Sequence, residues 1–389
     1  MSAGRLVDDI KGTTSLRLFL FLSLGIVLSQ FVPPFPAGFR MILVVAMFVG
    51  SLLLYLCRQY RASVMFLSLL LVCYGLFCSG TSLGSAELSV LNCQFQVPGF
   101  MMSVFRNRGV SEENIPLLSA LTLGQRSALL PDTVDAFRAS GVAHVLVVSG
   151  MHVGFLYLLV SLFVRRIPNR YLSAIAGLSL LWGYAALVGF TLSVCRAVFM
   201  FSVLLVMRVV GERYRSFQAL FMAAFMQLLI TPSALFDVGF QLSYSAVLSI
   251  LVFYPLLPDI LIERNDSRWK QTLVSIYKPV RLTVSAQILT APLVAYYFGQ
   301  FPLYFVLTNL AVTLLVPVIF IGGFMVLIPY LGTLIAYPLN FLLTLLQTIV
   351  TAVASMPMSL VQVRISFLAL VLVYMLIALV VWYAYSGRK

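Results

Sequence analysis

Acidic side chains and histidines are scarce: the chain holds 12 Asp and Glu and two His in 389 residues. That shortage argues against a hydrolytic metal centre. His144 and His152 cannot build a zinc site of ordinary spacing without carboxylates from elsewhere, and Asp237 is the one acid expected at membrane depth. No metal and no cofactor are therefore expected. The five cysteines, at 57, 73, 78, 93 and 195, show neither a C-x-x-C nor a Cys/His spacing. Most fall within or beside apolar runs, where a free thiol acts as a small apolar group; Cys93 is expected outside the membrane, with a bridge to Cys78 left open. The phosphate-binding run G-x-x-x-x-G-K-[ST] is missing too, so any active transport must draw on a partner or an ion gradient.

What the chain has in excess is apolar surface. Hydrophobic residues make up 61% and charged residues 10%, with a mean hydropathy of +1.04, a balance no soluble core has. The expected fold class is an all-α polytopic membrane protein. Apolar stretches near 16–33, 39–57, 62–80, 143–164, 171–190, 191–210, 216–231, 236–257, 283–299, 302–328, 330–355 and 365–386 give about 12 transmembrane helices. The first lacks a small-residue cleavage site and is followed by Pro33-Pro34, so it reads as a retained helix.

Orientation follows from the short loops. Alternate junctions carry the basic residues, as in Arg58-Gln-Tyr-Arg61, Arg165-Arg-Ile-Pro-Asn-Arg170 and Gly211-Glu-Arg-Tyr-Arg215, whereas the others are poor in charge. The positive-inside rule then puts both termini in the cytoplasm. It also accounts for nearly all of the net charge of +13, so that charge is no evidence for nucleic-acid binding.

Residues 81–142 form one long external segment with Leu, Phe and Met at helical spacing, which predicts two or three short amphipathic helices at the interface. One starts in Val97-Pro-Gly-Phe-Met-Met-Ser-Val-Phe-Arg106. Another is bounded by Leu130-Pro131-Asp132 and Ala139-Ser140-Gly141, a proline start and a glycine stop.

Polar residues inside the spans are the candidate functional groups. In Ala143-His-Val-Leu-Val-Val-Ser-Gly-Met-His-Val-Gly154 the pair Ser149-Gly150 predicts either a kink or a discontinuous helix whose free amides face an anion or a wet cavity. Ser149 and His152 also have the spacing of a nucleophile and base, with Asp237 the acid that would orient them. The tight junction Leu187-Val-Gly-Phe-Thr-Leu-Ser193 predicts a hairpin, and Arg196 follows it; a guanidinium there needs a carboxylate, carbonyls, water, an anion or a snorkelling route to the outer interface. Asp237, Gln241, Ser245 and Ser249 recur every four residues and give one helix a polar face, which serves as interhelical glue or as the wall of a wet passage. Gln287 with Thr290, then Thr308, Asn309 and Thr313 ahead of Pro317, extend the polar set.

Three of these runs carry a resemblance. Ala120-Leu-Thr-Leu-Gly-Gln-Arg-Ser127 with Ala136-Phe-Arg-Ala-Ser-Gly141 and His144-Val-Leu-Val-Val-Ser-Gly-Met-His-Val-Gly154, then Val194-Cys-Arg-Ala-Val-Phe-Met200, then Asp237-Val-Gly-Phe-Gln-Leu-Ser-Tyr-Ser-Ala246 resemble, in order, the motifs of the ComEC family of competence proteins. The resemblance implies a bacterial inner-membrane channel that admits single-stranded DNA during natural transformation. It implies as partners the strand itself, an external DNA-receptor protein, a cytoplasmic DNA translocase and single-strand-binding proteins, and leaves a homodimer open. Channel-lining or substrate-contacting positions would be His144, Ser149, Gly150, His152, Arg196, Asp237, Gln241, Gln287 and Asn309, with no catalytic residue. Tyr184, Phe190, Phe240 and Tyr244 would offer stacking surfaces.

Family members with an OB-fold-like domain or a metallo-β-lactamase-like domain set a contrast. Segment 81–142 is too short and helical for the first, and two histidines cannot supply the metal motif of the second, so a core-only member is expected. Its divisions would be 1–80, a three-helix membrane segment; 81–142, external interfacial helices; 143–328, the channel core; and 329–389, C-terminal membrane helices. The alternatives are a secondary transporter of a smaller anionic solute, with Arg196 and the Ser149-Gly150 helix end as its anion site, and an intramembrane Ser/His enzyme.

Overall fold

The computed structural model describes residues 14–31, 68–75, 97–164, 166–210, 216–258 and 268–386. The span expected at 39–57, most of the one at 62–80 and cysteines 57, 78 and 93 lie outside them. The described chain is almost wholly helical: α1 (Thr14–Leu28), a helical stretch at 68–75, α2 (Val97–Asn107), α3 (Ile115–Leu123), α4 (Pro131–Ala139), α5 (Gly150–Val164), α6 (Arg170–Leu187), α7 (Leu192–Val210), α8 (Ser216–Ile230), α9 (Val238–Phe253), α10 (Arg268–Phe298), α11 (Phe305–Met325), α12 (Leu331–Ala354) and α13 (Phe367–Ser386). One small antiparallel pair, not expected from the sequence, joins β1 (Gln300–Pro302) to β2 (Leu360–Gln362) with Phe301 opposite Val361.

Four helices among the described residues are long and apolar enough to cross a membrane: Leu192–Val209 within α7, α11, α12 and α13. Helices α1, α5, α8 and α9 are apolar but shorter, so length and composition do not establish a count of twelve. The reason lies in polar breaks. The fourth expected span, 143–164, is helical continuously only from Gly150, and the eighth, 236–257, only from Val238, after a 3-10 turn over Pro232–Phe236. In the other direction, α10 begins at Arg268 rather than near 283 and runs through Pro279 and Pro292. Its Arg281 is buried, donating from Nε and Nη2 to the Tyr254 carbonyl at 3.1 and 2.6 Å and lying over that ring.

The chain divides into two compact units. The first comprises 1–93 and 199–244. In it α1 packs on α8, with Phe19 and Phe221 rings 5.7 Å apart. A side chain at Gly25 would run into the Val72 carbonyl and one at Gly75 into that of Leu22, so two glycines let α1 and the 68–75 helix cross at backbone distance, as small residues do in membranes. Tyr74 donates to the Leu229 carbonyl at 2.7 Å, and Tyr244 to Gln227 at 3.1 Å.

The second unit comprises 94–198 and 245–389, and its main core joins the 97–146 segment to α11 and α12. Phe105, Leu117, Leu118, Leu121 and Phe137 pack with Val316, Ile319, Leu339, Leu343 and Leu346, all nearly or fully buried. Two or three short helices were expected before residue 142 and three are found, but α3 is no surface helix: every residue from Ile115 to Leu123 except Pro116 is buried. Its sequence, IPLLSALTL, has no polar face, so it cannot lie at a water interface. Helix α12 is amphipathic in the usual helical sense, with Ala336, Leu339, Leu343, Leu346 and Val350 inward and Leu334, Tyr337 and Phe341 outward. Asn340 clips it to the α2–α3 turn, accepting from Ser111 N at 3.0 Å and donating to Gly109 O at 2.9 Å. On the surface, Arg106 pairs with Glu112 and holds its carboxyl below the ordinary carboxylate range. That small contribution is present above the ordinary Glu pKa and fades as pH falls through the lowered one.

Where α11 crosses α3, a Cβ at Gly323 would stand 2.6 Å from Thr122 Cγ2 and 3.0 Å from Leu118 Cδ1. Gly323→Ala is expected to cost roughly 1–3 kcal/mol by overpacking, whereas Gly183→Ala, inside α6 with nothing within 4 Å of the added carbon, should be neutral or stabilise by up to about 1 kcal/mol. Unfolding of the detergent-solubilised variants checks the pair; equal stability would mean that α3 and α11 do not meet this closely.

Candidate functional site

The site is built outward from the end of α3. Gly124 takes φ +74 and returns its amide to Ala120 O, a left-handed stop that glycine accepts without strain. Space demands glycine as well, because a Cβ would press on Val148 and Val188 at 3.2 and 3.4 Å. The turn delivers Arg126, whose Nε donates to Leu146 O at 3.2 Å. Partial burial lowers the Arg126 pKa from its ordinary value, which starts so high that the group stays a cation at any physiological pH. The Thr122 carbonyl, among the last of α3 and without a helical donor, receives the buried Tyr184 hydroxyl at 3.1 Å.

The chain reaches α5 through a second glycine turn. Gly141, at φ +83, packs so closely on Phe305 that a Cβ would lie 2.7 Å from the Phe305 Cβ. A 3-10 turn over Ala143–Val145 follows, then a non-helical run to Ser149. Ser149 caps α5: its carbonyl accepts from His152 N at 3.0 Å, while its own N–H donates to His152 Nδ1 at 3.2 Å, with Oγ at 3.1 Å from the same nitrogen. This is the return half of a capping box, with histidine in the place of glutamate or glutamine. Since an amide can only donate, Nδ1 is the acceptor and a neutral ring carries its proton on Nε2. His152 is fully buried, Nε2 has no hydrogen-bond partner, and the ring meets Phe320 edge-on at 5.4 Å. Phe320 in turn packs on Tyr184 and Phe324.

Ser149-Gly150 is therefore a helix start and not a kink. The expected residues do not all converge on it. Ser149, Gly150 and His152 share the first turn of α5, and Ala197, next to the buried Arg196, stands 3.7 Å from where a Gly150 Cβ would be. His144 is exposed in the 3-10 turn, so the two histidines occupy opposite environments. Asp237 and Gln241 fall in the first unit, where Asp237 Oδ1 accepts from Phe240 N at 2.7 Å as the cap of α9 and Gln241 donates to Leu235 O at 3.0 Å. Gln287 accepts from Thr290 one turn on, and Asn309 donates to Phe305 O one turn back. Ser249 bridges helices, donating to Ser285 O and accepting from Leu289 N. Tyr184, Phe240 and Tyr244 are buried in cores and offer no free stacking face.

Chemically, Ser149 and His152 are close enough for proton transfer, but the far side of the ring faces no carboxylate among the described residues. No three His, Cys, Asp or Glu side chains among those residues group as a metal site. Sequence reading gave Thr122 and Arg126 no role. The signal that marks them is Gly124 after an apolar run, a stop that fixes where the next side chains point.

Residues 121–387 match the family described as Competence protein. Among curated proteins, the chain is 30% identical to ComE operon protein 3 of Bacillus subtilis over 207 residues, which are 53% of this chain and 25% of that protein. It is 25% identical to Recombination protein 2 of Haemophilus influenzae over 221 residues, 54% of this chain and 28% of that one. It is 29% identical to Competence protein ComA of Neisseria gonorrhoeae over 153 residues, 37% of this chain and 22% of that one. The matches thus cover no more than about a quarter of those relatives' lengths. No solved structure matches.

Tyr184→Phe should leave the Thr122 carbonyl buried and unpaired and cost about 1–3 kcal/mol, while Tyr171→Phe, at an exposed ring, should cost nothing measurable. Detergent unfolding of both variants reads this; an unchanged Tyr184→Phe would remove the link from α3 to α6.

Proposed function

Because the chain belongs to the competence protein family, we propose that it forms a membrane channel that conducts single-stranded DNA into the cytoplasm during natural transformation. The observation that supports this reading is the meeting of some of the family-type runs at one place: the Ala120–Ser127 run holds the His144–Gly154 run through Arg126 and Leu146, and Ala197 of α7, next to Arg196, stands against Gly150. A buried cation on the helix that packs against a helix start suits a phosphate backbone. The strand enters from outside, presented by a receptor protein, and is drawn inward by a cytoplasmic translocase and single-strand-binding proteins; a second copy of the chain is a candidate partner. We place the protein in the bacterial inner membrane with both termini inside, on the charge asymmetry of its loops.

The wall of such a channel would include His144, Ser149, Gly150 and Arg196. His152 supports it from behind by holding the start of α5, Gln287 and Asn309 would act by bonding within their own helices, and Asp237 and Gln241 by fixing the start of α9 in the first unit. Transport of a smaller anion remains the second reading, since Arg196 and the α5 start would serve either solute. The Ser/His enzyme reading has a nucleophile and a base but no orienting acid at His152 Nε2 among the described residues.

A strain deleted for this chain should bind labelled DNA at its surface but fail to internalise it, and the wild-type gene should restore uptake. Arg196→Ala should lower uptake at least tenfold with expression held, while Ser149→Ala, which keeps the backbone bond to His152, should retain most of it. Normal uptake in the deletion strain would refute conduction of DNA; loss of uptake in Ser149→Ala alone would favour the enzyme.

A further inference from the structure

The outer segment carries a guanidinium that is held in place and has most of its donors unused. Arg126 is exposed and follows the left-handed turn at Gly124, and its Nε is committed to the Leu146 carbonyl at 3.2 Å. Its two terminal nitrogens meet no acceptor and no carboxylate within ion-pair distance among the described residues. Two neighbours in the segment are paired, Arg106 with Glu112 and Arg138 with Asp135 one turn away on α4, while Arg108 forms neither an ion pair nor a bond to a backbone carbonyl among the described residues. Asp132 lies six residues on in sequence, yet Arg126 forms no pair with it.

A side chain this long ordinarily samples many rotamers, and holding it costs entropy. Here one bond to a backbone carbonyl already restrains the guanidinium, so less freedom is lost when the fork of its terminal N–H groups meets an anion. Such a fork matches two oxygens of a phosphate. The position is informative too. Leu146 opens the non-helical run that ends at Ser149 and the first turn of α5, and Gly150 at that turn is itself exposed, so an anion held by Arg126 lies along the approach to α5.

We propose that Arg126 is a phosphate-contacting residue, receiving the backbone of an incoming single strand before it reaches the start of α5. The assignment rests on the DNA-conducting reading above. It adds a binding residue on the outer segment, where sequence pattern alone pointed to none, and it gives the Ala120–Ser127 motif a chemical task in addition to its packing.

The test is binding of a fluorescent oligothymidylate to the purified full chain in detergent, followed by anisotropy over a range of salt. Arg126→Gln should weaken binding about tenfold at low salt and reduce the slope of log affinity against log salt by about 0.7, the share of one single-strand phosphate contact. Arg126→Lys keeps the charge but loses the anchored fork, so it should weaken binding with the slope nearly kept. Arg108→Gln, in the same segment but without a carbonyl anchor, should change neither. Unfolding curves identify any variant that has lost its fold; should Arg126→Gln do so, Arg126→Lys carries the test. A wild type that binds, with Arg126→Gln and Arg126→Lys binding equally well, overturns the Arg126 assignment and leaves conduction standing. A wild type that neither binds the oligonucleotide nor restores uptake overturns both.

Discussion

A buried helix must satisfy its terminal carbonyls from its neighbours, and in this protein the short helix α3 imposes that demand on everything around it. Its IPLLSALTL sequence has no face for water, and its last carbonyls lie where solvent cannot reach them. Gly124 and Gln125 return two amides to it, and Tyr184 of α6 supplies a hydroxyl. Gly323 of α11 gives way to Thr122, and Val148 presses on Gly124. The start of α5 is thereby placed by contacts to a helix that carries no charge at all.

The polar residues then divide by task. Most of them answer backbone groups: Asp237 caps α9, Asn309 bonds the carbonyl one turn back, and Ser249 fastens α9 to α10. In hydrocarbon each such bond is worth roughly 0.6 to 2 kcal/mol, which suffices to select a packing but gives no chemistry. A smaller group cannot be explained so simply. Arg196 is a buried cation, and Arg126 an exposed one anchored through Nε; in the proposed reading these are the two that meet an anionic solute.

Much of this was legible in the sequence and some was not. The membrane class, the α6–α7 hairpin and the α4 helix with its glycine stop follow from hydropathy and from Gly and Pro, because those signals are local. The break at Ser149-Gly150 was visible, but whether it bent or ended the helix depended on His152 accepting the Ser149 amide, a contact that spacing alone does not decide. The expectation of interfacial helices over 81–142 fails at α3, because a nine-residue run with seven apolar residues and only Ser119 and Thr122 between them reads the same whether it faces lipid or lies beneath α11 and α12. The stripe of Asp237, Gln241, Ser245 and Ser249 has the period of a wall, yet in the structure Asp237, Gln241 and Ser249 bond to backbone groups, and periodicity cannot tell these apart. The twelve spans were counted by length of apolar sequence, whereas helices stop where a turn or cap gives the backbone another partner.

The central claim is that an incoming strand passes the start of α5. A photo-crosslinking amino acid placed at position 149 during active DNA uptake tests it most directly, with position 372, exposed on α13, as the comparison. The account predicts crosslinks to the labelled single strand from 149 and none from 372. Equal crosslinking from both positions, or none from 149 in cells that take up DNA normally, would contradict it.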